Sequence, residues 1–272
     1  MIIKTELIPR VAFEIFEIPI YWYGILIVGS MILGIIWCRF HNGRFEIKFD
    51  TILDLAIIVL PTAIICARLY YVLFSLDYFM DNPSEIFLIK NGGLAIYGGI
   101  IGGLAVIAIC SKIKKFKVLD FTDYIVPIVA LCQSIGRWGN YINVEAYGYE
   151  TNWPIKMEII EDGITKYVHP TFLYESICTF IIFILLIVLS RKRKFSGEIT
   201  YMYIICYSFI RFFIEGLRTD SLMIFNCRIS QILSLVLFIV FSIIVIYKKN
   251  KYKEKSKNVE KERWKVIWNT QK

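Results

Sequence analysis

The run Gln133-Ser134-Ile135-Gly136-Arg137-Trp138-Gly139-Asn140-Tyr141-Ile142-Asn143-Val144-Glu145 gathers a guanidinium, two carboxamides and a carboxylate directly after an apolar segment. Such groups are costly beside lipid unless they pair or bind something, so the cluster reads as a functional site. Arginine suits a phosphate because its planar fork donates two parallel hydrogen bonds and stays charged. Arg68 and Arg211 are further arginines in otherwise apolar stretches, and Glu215 lies four residues after Arg211. Two readings compete for each of these. Arg68 either snorkels to an interface or binds an anion, and Arg211 with Glu215 is either an i,i+4 pair or part of the same site.

The remaining chemistry-bearing residues exclude several alternatives. The seven cysteines include no C-x-x-C pair, and His41 and His169 lie far apart, so no metal site is expected. No phosphate-binding G-x-x-x-x-G-K-[ST] loop is present, and no bound cofactor is implied. An Asp-rich metal motif of the kind used by CDP-alcohol phosphotransferases is absent. So is a Gly-x-Ser-Gly nucleophile of the kind used by intramembrane serine proteases. His169-Pro170-Thr171-Phe172-Leu173-Tyr174-Glu175 reads as a helix start, with Pro170 and Glu175 in structural roles.

A membrane must position these groups. The 272 residues are 57% hydrophobic and 16% aromatic, with mean hydropathy +0.59, too apolar for a soluble domain. Met1 to Pro19 carries charges throughout and lacks the apolar core of a cleavable signal peptide. Seven segments are long and apolar enough to be candidate spans: 21–40, 52–74, 93–111, 121–136, 172–190, 199–215 and 229–247. The fourth is short and contains Pro127, which predicts a tilted, broken or partly embedded element.

Basic residues set the orientation. Arg39, Arg44 and Lys48 follow the first segment, Lys112, Lys114, Lys115 and Lys117 the third, and Arg191-Lys192-Arg193-Lys194 the fifth. A lysine-rich tail follows the seventh. Most of the 31 Lys and Arg thus lie on alternate connections, which predicts an N-terminus outside and a C-terminus in the cytoplasm. The formal charge of +8 then reflects topology and contact with anionic lipid headgroups, not a nucleic-acid partner. The expected fold class is an all-α membrane protein of about seven transmembrane helices. An extracytoplasmic segment 1–20 precedes a membrane domain 21–247, and a basic cytoplasmic tail 248–272 follows. Within the tail, Trp264 and Trp268 either rest at the interface or belong to a solvated, partly disordered segment. Alternation around Asp162-Gly163 is a β-hairpin signal inside a small extracytoplasmic cap at 137–171.

This topology puts Tyr23, Arg68, Tyr97, the run 137–145, Arg211 and Glu215 at the outer ends of their segments. A transporter or receptor would instead distribute charge along a path near mid-membrane. In Leu94-Ala95-Ile96-Tyr97-Gly98-Gly99-Ile100-Ile101-Gly102-Gly103, the pairs Gly98/Gly102 and Gly99/Gly103 permit close helix approach.

Several of these blocks also carry a resemblance. Trp22-Tyr23-Gly24, Gly92-Gly93-Leu94-Ala95-Ile96-Tyr97-Gly98-Gly99, the G-R-x-G-N-[FY]-x-N-x-E run over 136–145, His169-Pro170-Thr171 and Arg211-Phe212-Phe213-Ile214-Glu215 occur in order. In these blocks the chain resembles the prolipoprotein diacylglyceryl transferases, across roughly residues 10–250. The resemblance implies a multi-pass enzyme of the bacterial plasma (inner) membrane with its active site facing the outer leaflet. It implies transfer of diacylglyceryl from phosphatidylglycerol to the lipobox cysteine thiol of a preprolipoprotein, leaving a thioether and glycerol phosphate.

Carried onto this chain, the resemblance makes Arg137 and Arg211 the ligands of the phosphodiester. Asn140, Asn143 and Glu145 fix an arginine or bind headgroup hydroxyls, and Tyr23 and Glu215 occupy positions the family uses. Tyr97 stands where many members carry a histidine assigned as the base. A tyrosine with an ordinary pKa near 10 is a poor base at neutral pH. Tyr97, with Arg137, Arg211 and Glu145, is carried over as a catalytic residue, and the base stays open: either a strongly perturbed Tyr97 takes the proton, or Tyr97 only orients the lipid and Glu145, Glu215 or an arginine-associated phosphate oxygen receives it.

Overall fold

The computed structural model describes residues 1–5, 8–41, 47–88, 92–225 and 227–270, with side chains at the C-terminus through residue 258 and at Lys261. Arg44, Lys272 and the side chains of Trp264 and Trp268 lie outside the described residues. Two compact units are present, Met1–Gly34 with Thr122–Lys272, and Ile35–Phe121. Six of the described helices are long and apolar enough to cross a membrane. They are α1 (Trp22–Phe40), α2 (Phe49–Leu73), α4 (Ile96–Lys114), α5 (Val118–Asn143), α6 (Thr171–Ser190) and the first part of α8 (Ile229–Thr270). A further helix of similar length, α7 (Glu198–Leu217), is not among the six and carries Glu198, Arg211 and Glu215.

In the smaller unit, α2 packs on α4, and a short helix α3 (Leu76–Asp81) and a 3₁₀ turn (Pro83–Phe87) connect them. Lipid tails are as apolar as leucine, so helices here associate through close packing. The glycine-rich face of α4 supplies it. A Cβ on Gly98 would overlap the Cys66 carbonyl oxygen and Tyr70 Cβ, whereas one on Gly103 would meet only Val59 Cγ1 at 3.5 Å. Asp54 and Lys114 form an ion pair between the two helices.

In the larger unit, β1 (Ile2–Lys4) pairs parallel with β4 (Lys156–Glu161), which pairs antiparallel with β5 (Ile164–Val168). Asp162 and Gly163 both have positive φ, the geometry of a two-residue hairpin turn matched to strand twist. Met157, Ile159 and Val168 point to one side and bury against Tyr141, Ile142 and Phe172, with the Tyr141 and Phe172 rings stacked at 4.9 Å. A second hairpin, β2 (Val11–Ile15) and β3 (Ile18–Tyr21), leads into α1. A third, β6 (Met223–Ile224) and β7 (Cys227–Arg228), joins α7 to α8.

Two expectations change. The fourth span is neither broken nor short: α5 is one helix of 26 residues that carries Pro127 inside it and runs through Arg137, Asn140 and Asn143. Arg137 and Asn140 share a face at i,i+3 and bond each other, so polarity does not end the helix. The tail, too, continues α8 as helix to Thr270. Lys, Arg and Glu are good helix formers, and extending an existing helix avoids the cost of nucleation.

The entry to α7 is held from another helix. Asp123 of α5 is fully buried and accepts from Arg193 Nε (2.6 Å), Gly197 N (2.8 Å), and the backbone N (2.8 Å) and Oγ1 (2.7 Å) of Thr200. It acts as an N-cap supplied in trans. Phe209 on Phe238, and Gln231 donating to the Phe212 carbonyl, then seat α7 on α8.

Two substitutions test the packing argument. Gly98→Ala should cost about 1–3 kcal/mol through overpacking, because the overlapped carbonyl is backbone and cannot rotate away. Gly103→Ala should be near neutral. Thermal midpoints in detergent, with the wild type alongside, check both; equal midpoints for the two variants would contradict the packing seen here.

Candidate active site

The site is built where α5, α6 and α7 are pinned together. Ser134 Oγ donates to the Ser176 carbonyl and Ser176 Oγ to the Ser134 carbonyl, both at 2.8 Å, and Trp138 Nε1 donates to Ser176 Oγ at 3.1 Å. These reciprocal bonds fix α5 against α6 in the layer where Arg137 and Glu175 project. Arg137 Nη2 donates to Glu175 Oε1 at 2.6 Å. From α7, Arg211 Nη1 donates to Glu175 Oε2 at 3.2 Å and Tyr207 Oη to Glu175 Oε1 at 3.0 Å. One carboxylate therefore receives both arginines. Behind it, Tyr203 stacks on Tyr207 at 5.8 Å and donates to Gln133 Oε1 at 2.6 Å.

Arg211 also approaches Glu215 one turn on, with Nη2 2.5 Å from Oε2. That contact is an ion pair without hydrogen-bond geometry, so Glu215 Oε2 is buried with no hydrogen-bond partner among the described residues. Arg228, at the end of β7, donates to the Glu215 carbonyl and, at 2.7 Å, to Tyr149 Oη. Accessibility separates the signs of charge. The Arg137 and Arg211 side chains keep 22% and 16% of their surface, whereas Glu175 and Glu215 keep 2% and 3%. A ligand meets guanidinium edges with carboxylates behind them.

The end of α5 positions the third carboxylate. Val144 N donates to the Tyr141 carbonyl (3.1 Å) and Glu145 N to the Asn140 carbonyl (3.0 Å), with Val144 at φ +53°. This is the Schellman arrangement, in which the left-handed position is usually glycine. Holding a β-branched residue there costs about 1–3 kcal/mol. The turn folds Glu145 back over the helix end, where Asn140 Nδ2 donates to its Oε1 at 2.8 Å and Asn143 Nδ2 at 3.4 Å. Asn140 Oδ1 in turn accepts from Arg137 Nη1 at 3.1 Å. Unlike Glu175 and Glu215, Glu145 is exposed.

The chain beyond Glu145 is tied to both neighbouring helices. Thr171 Oγ1 donates to the Ala146 carbonyl, Gly148 N to the His169 carbonyl (3.0 Å) and Tyr149 N to the Leu217 carbonyl (2.9 Å). His169 packs against Trp153, lies 3.3 Å from Tyr174 Oη, and is pushed below its ordinary pKa by burial. Just past α7, Arg218 makes a two-pronged pair with Asp220, and those hydrogen bonds hold the Asp220 carboxyl below the usual range.

Of the residues singled out in the sequence, Arg137, Asn140, Asn143, Glu145, Arg211 and Glu215 come together in the larger unit. Tyr23 joins them: its ring lies against Gly139, where a Cβ would overlap it, and it is within electrostatic reach of Glu145 and Arg137. Tyr97 lies in the smaller unit, exposed near the start of α4. Arg68 takes the structural reading. It is buried and donates to the carbonyls of Glu85, Ile86, Gly92 and Gly93 at 2.6–3.0 Å, between the rings of Tyr71 and Phe79.

Glu175 is the residue that sequence reasoning misplaced, as a helix-start carboxylate. Its cost inside an apolar helix was the available signal, since the rule that flags Arg137 applies to it equally. Tyr207, one turn before Arg211, shares its face and was also missed.

Paired arginines with accessible edges, a folded-back exposed carboxylate and no fixed nucleophile among these groups suit a reaction between two bound substrates at a phosphate. Comparison with known proteins narrows this further. The chain is 49% identical to the phosphatidylglycerol–prolipoprotein diacylglyceryl transferase of Finegoldia magna over 250 residues, covering 91% of this chain and 99% of the relative. The transferase of the same name from Clostridioides difficile is 48% identical, covering 89% of this chain and 97% of the relative. That from Enterococcus faecalis is 44% identical, covering 94% and 96%. The family model described as prolipoprotein diacylglyceryl transferase matches residues 10–247, which take in the whole arginine cluster from Tyr23 to Glu215, and the chain belongs to that family.

Proposed function

We propose that this chain is a multi-pass membrane enzyme that transfers diacylglyceryl from phosphatidylglycerol to the lipobox cysteine of a preprolipoprotein. The observation that carries the proposal is the pair Arg137 and Arg211, held by one buried carboxylate with their outer edges accessible. In this reading α7 is a seventh span and residues 1–20 lie outside the bacterial plasma membrane. The loop after α5, with the hairpin β4–β5, covers the outer face, the site opens to the outer leaflet, and the basic end of α8 lies in the cytoplasm.

The two guanidiniums hold the phosphodiester. The thiol sulfur attacks the diacylglyceryl carbon bonded to the phosphate oxygen; the S–C bond forms, the C–O bond breaks, and both electrons of that bond leave with the phosphate. Charge developing on the departing oxygen is stabilised by Arg137 and Arg211. The thiol proton goes to Glu145, an exposed carboxylate beside the arginines, oriented by Asn140 and Asn143. Tyr23, flanking Arg137 and Glu145, orients the headgroup, and Tyr97 has a lipid-orienting role.

The direct test combines purified protein, labelled phosphatidylglycerol and a lipobox peptide. Label is expected on the cysteine as a thioether; its absence, with an authentic transferase active in parallel, would remove the proposal. Arg137→Lys keeps the charge but loses the fork, and should lower turnover by about 10²–10³-fold. Wild-type turnover in that variant would release Arg137 from its role. Gly139→Ala displaces the Tyr23 ring without touching an ionic group, so it should lower turnover by about tenfold or more while leaving the thermal midpoint within a few degrees.

A further inference from the structure

Glu175 has no step in the transfer as written, and at 2% accessibility substrate does not reach it. Yet it contacts Arg137, Arg211 and Tyr207, the groups nearest the proposed phosphate. The charges around them balance. Arg137 comes from α5 and Glu145 from just beyond it, Glu175 from α6, Arg211 and Glu215 from α7, Arg218 and Asp220 from just beyond that, and Arg228 from β7. Four guanidiniums and four carboxylates are present, and both arginines at the proposed phosphate, Arg137 and Arg211, are ion-paired from behind, whereas a site built only to attract anions would carry excess positive charge.

We infer that Glu175 is a specificity-determining positioning residue: by neutralising the paired arginines from behind, it makes the site accept a singly charged phosphodiester and disfavour a doubly charged phosphomonoester. The inference rests on the transfer reading. There, the substrate is a phosphodiester with one negative charge. Its leaving group is a phosphomonoester that departs with both electrons of the broken C–O bond, while the thiol proton has gone to Glu145. The product therefore carries one more negative charge than the lipid headgroup did, offset only while Glu145 holds the thiol proton; once that proton passes to solvent, Glu175 still neutralises the paired arginines and the extra charge is left uncompensated. Phosphomonoesters take up a proton with a pKa of about 6, so the extra charge is present at neutral pH. Repulsion from Glu175 and Glu215 across the arginines then favours departure of glycerol phosphate over its retention. Geometry is preserved throughout, because the same carboxylate that limits the charge also holds the two forks at fixed spacing.

The test compares binding of two soluble probes to the full-length protein in detergent: glycerol phosphate, a monoester, and glycerophosphoglycerol, the deacylated diester. At about pH 7.5 the wild type should bind the diester roughly tenfold tighter, and the gap should narrow to a fewfold at about pH 5.5, where the monoester is protonated. Glu175→Gln keeps an acceptor for Tyr207 but removes the charge. It should tighten glycerol phosphate binding at least tenfold at about pH 7.5 and reverse the pH trend. In turnover the same variant should show lower kcat, an unraised KM for phosphatidylglycerol and stronger inhibition by glycerol phosphate. Glu175→Asp, which retains the charge, should keep the wild-type order of probes. A wild type that prefers the monoester at about pH 7.5 overturns the inference without any variant. So does a folded Glu175→Gln protein with lowered kcat but an unchanged ratio of the two probes, since that is what a packing role predicts. Diester preference without any lipid transfer would remove the transferase reading and leave the charge filter standing; transfer without diester preference would do the reverse.

Discussion

Two arginines sharing one buried carboxylate set the terms for everything around them. Arg137 and Arg211 come from different helices, and without Glu175 their like charges would face each other in a poorly solvated layer. Removing one partner of such a buried network typically costs about 3–5 kcal/mol, because the remaining charges are left uncompensated. The surrounding structure is arranged to keep the three in place. The Ser134–Ser176 clamp fixes α5 on α6, and the α7–α8 contacts fix the helix that carries Arg211. Arg228 holds the carbonyl of Glu215 at the far end of the cluster.

The two ends of α7 are secured by different means. At its start, Asp123 of α5 supplies four acceptor contacts to the Arg193–Thr200 segment. At its end, the Leu217 carbonyl receives Tyr149 from the loop that follows Glu145. A helix that carries Glu198, Arg211 and Glu215 is thus anchored through polar groups at both termini, while its middle presents Tyr203, Tyr207 and Arg211 inward. Polarity that weakens its claim on the lipid is spent on positioning.

Much of this was legible in the sequence, and the exceptions have physical causes. Arg137, Asn140, Asn143 and Glu145 stood out because polar groups next to an apolar segment are costly. The structure places the first three inside α5, since i,i+3 pairing lets a helix continue through polar residues. Glu175 obeyed the same cost rule but sat where a helix start also explains a carboxylate, and the local explanation hid the tertiary one. Arg68 had two readings that no local pattern could separate, because its partners are main-chain carbonyls distant in sequence. The α8 extension was obscured by its charge: a lysine-rich tail suggests a solvated coil, whereas a preceding helix supplies the nucleus for continuation.

Arg68 has a consequence of its own. Its four acceptors are main-chain oxygens of residues 85, 86, 92 and 93, so the arginine reads the backbone at these positions and not their side chains. Side-chain exchanges at Glu85 and Ile86 therefore leave these contacts in place, whereas Gly93, where a Cβ would fall on Arg68 Nη1, admits none. Displacing any of the four carbonyls would leave the buried cation short of an acceptor. Around Arg68, the constraint is written in backbone.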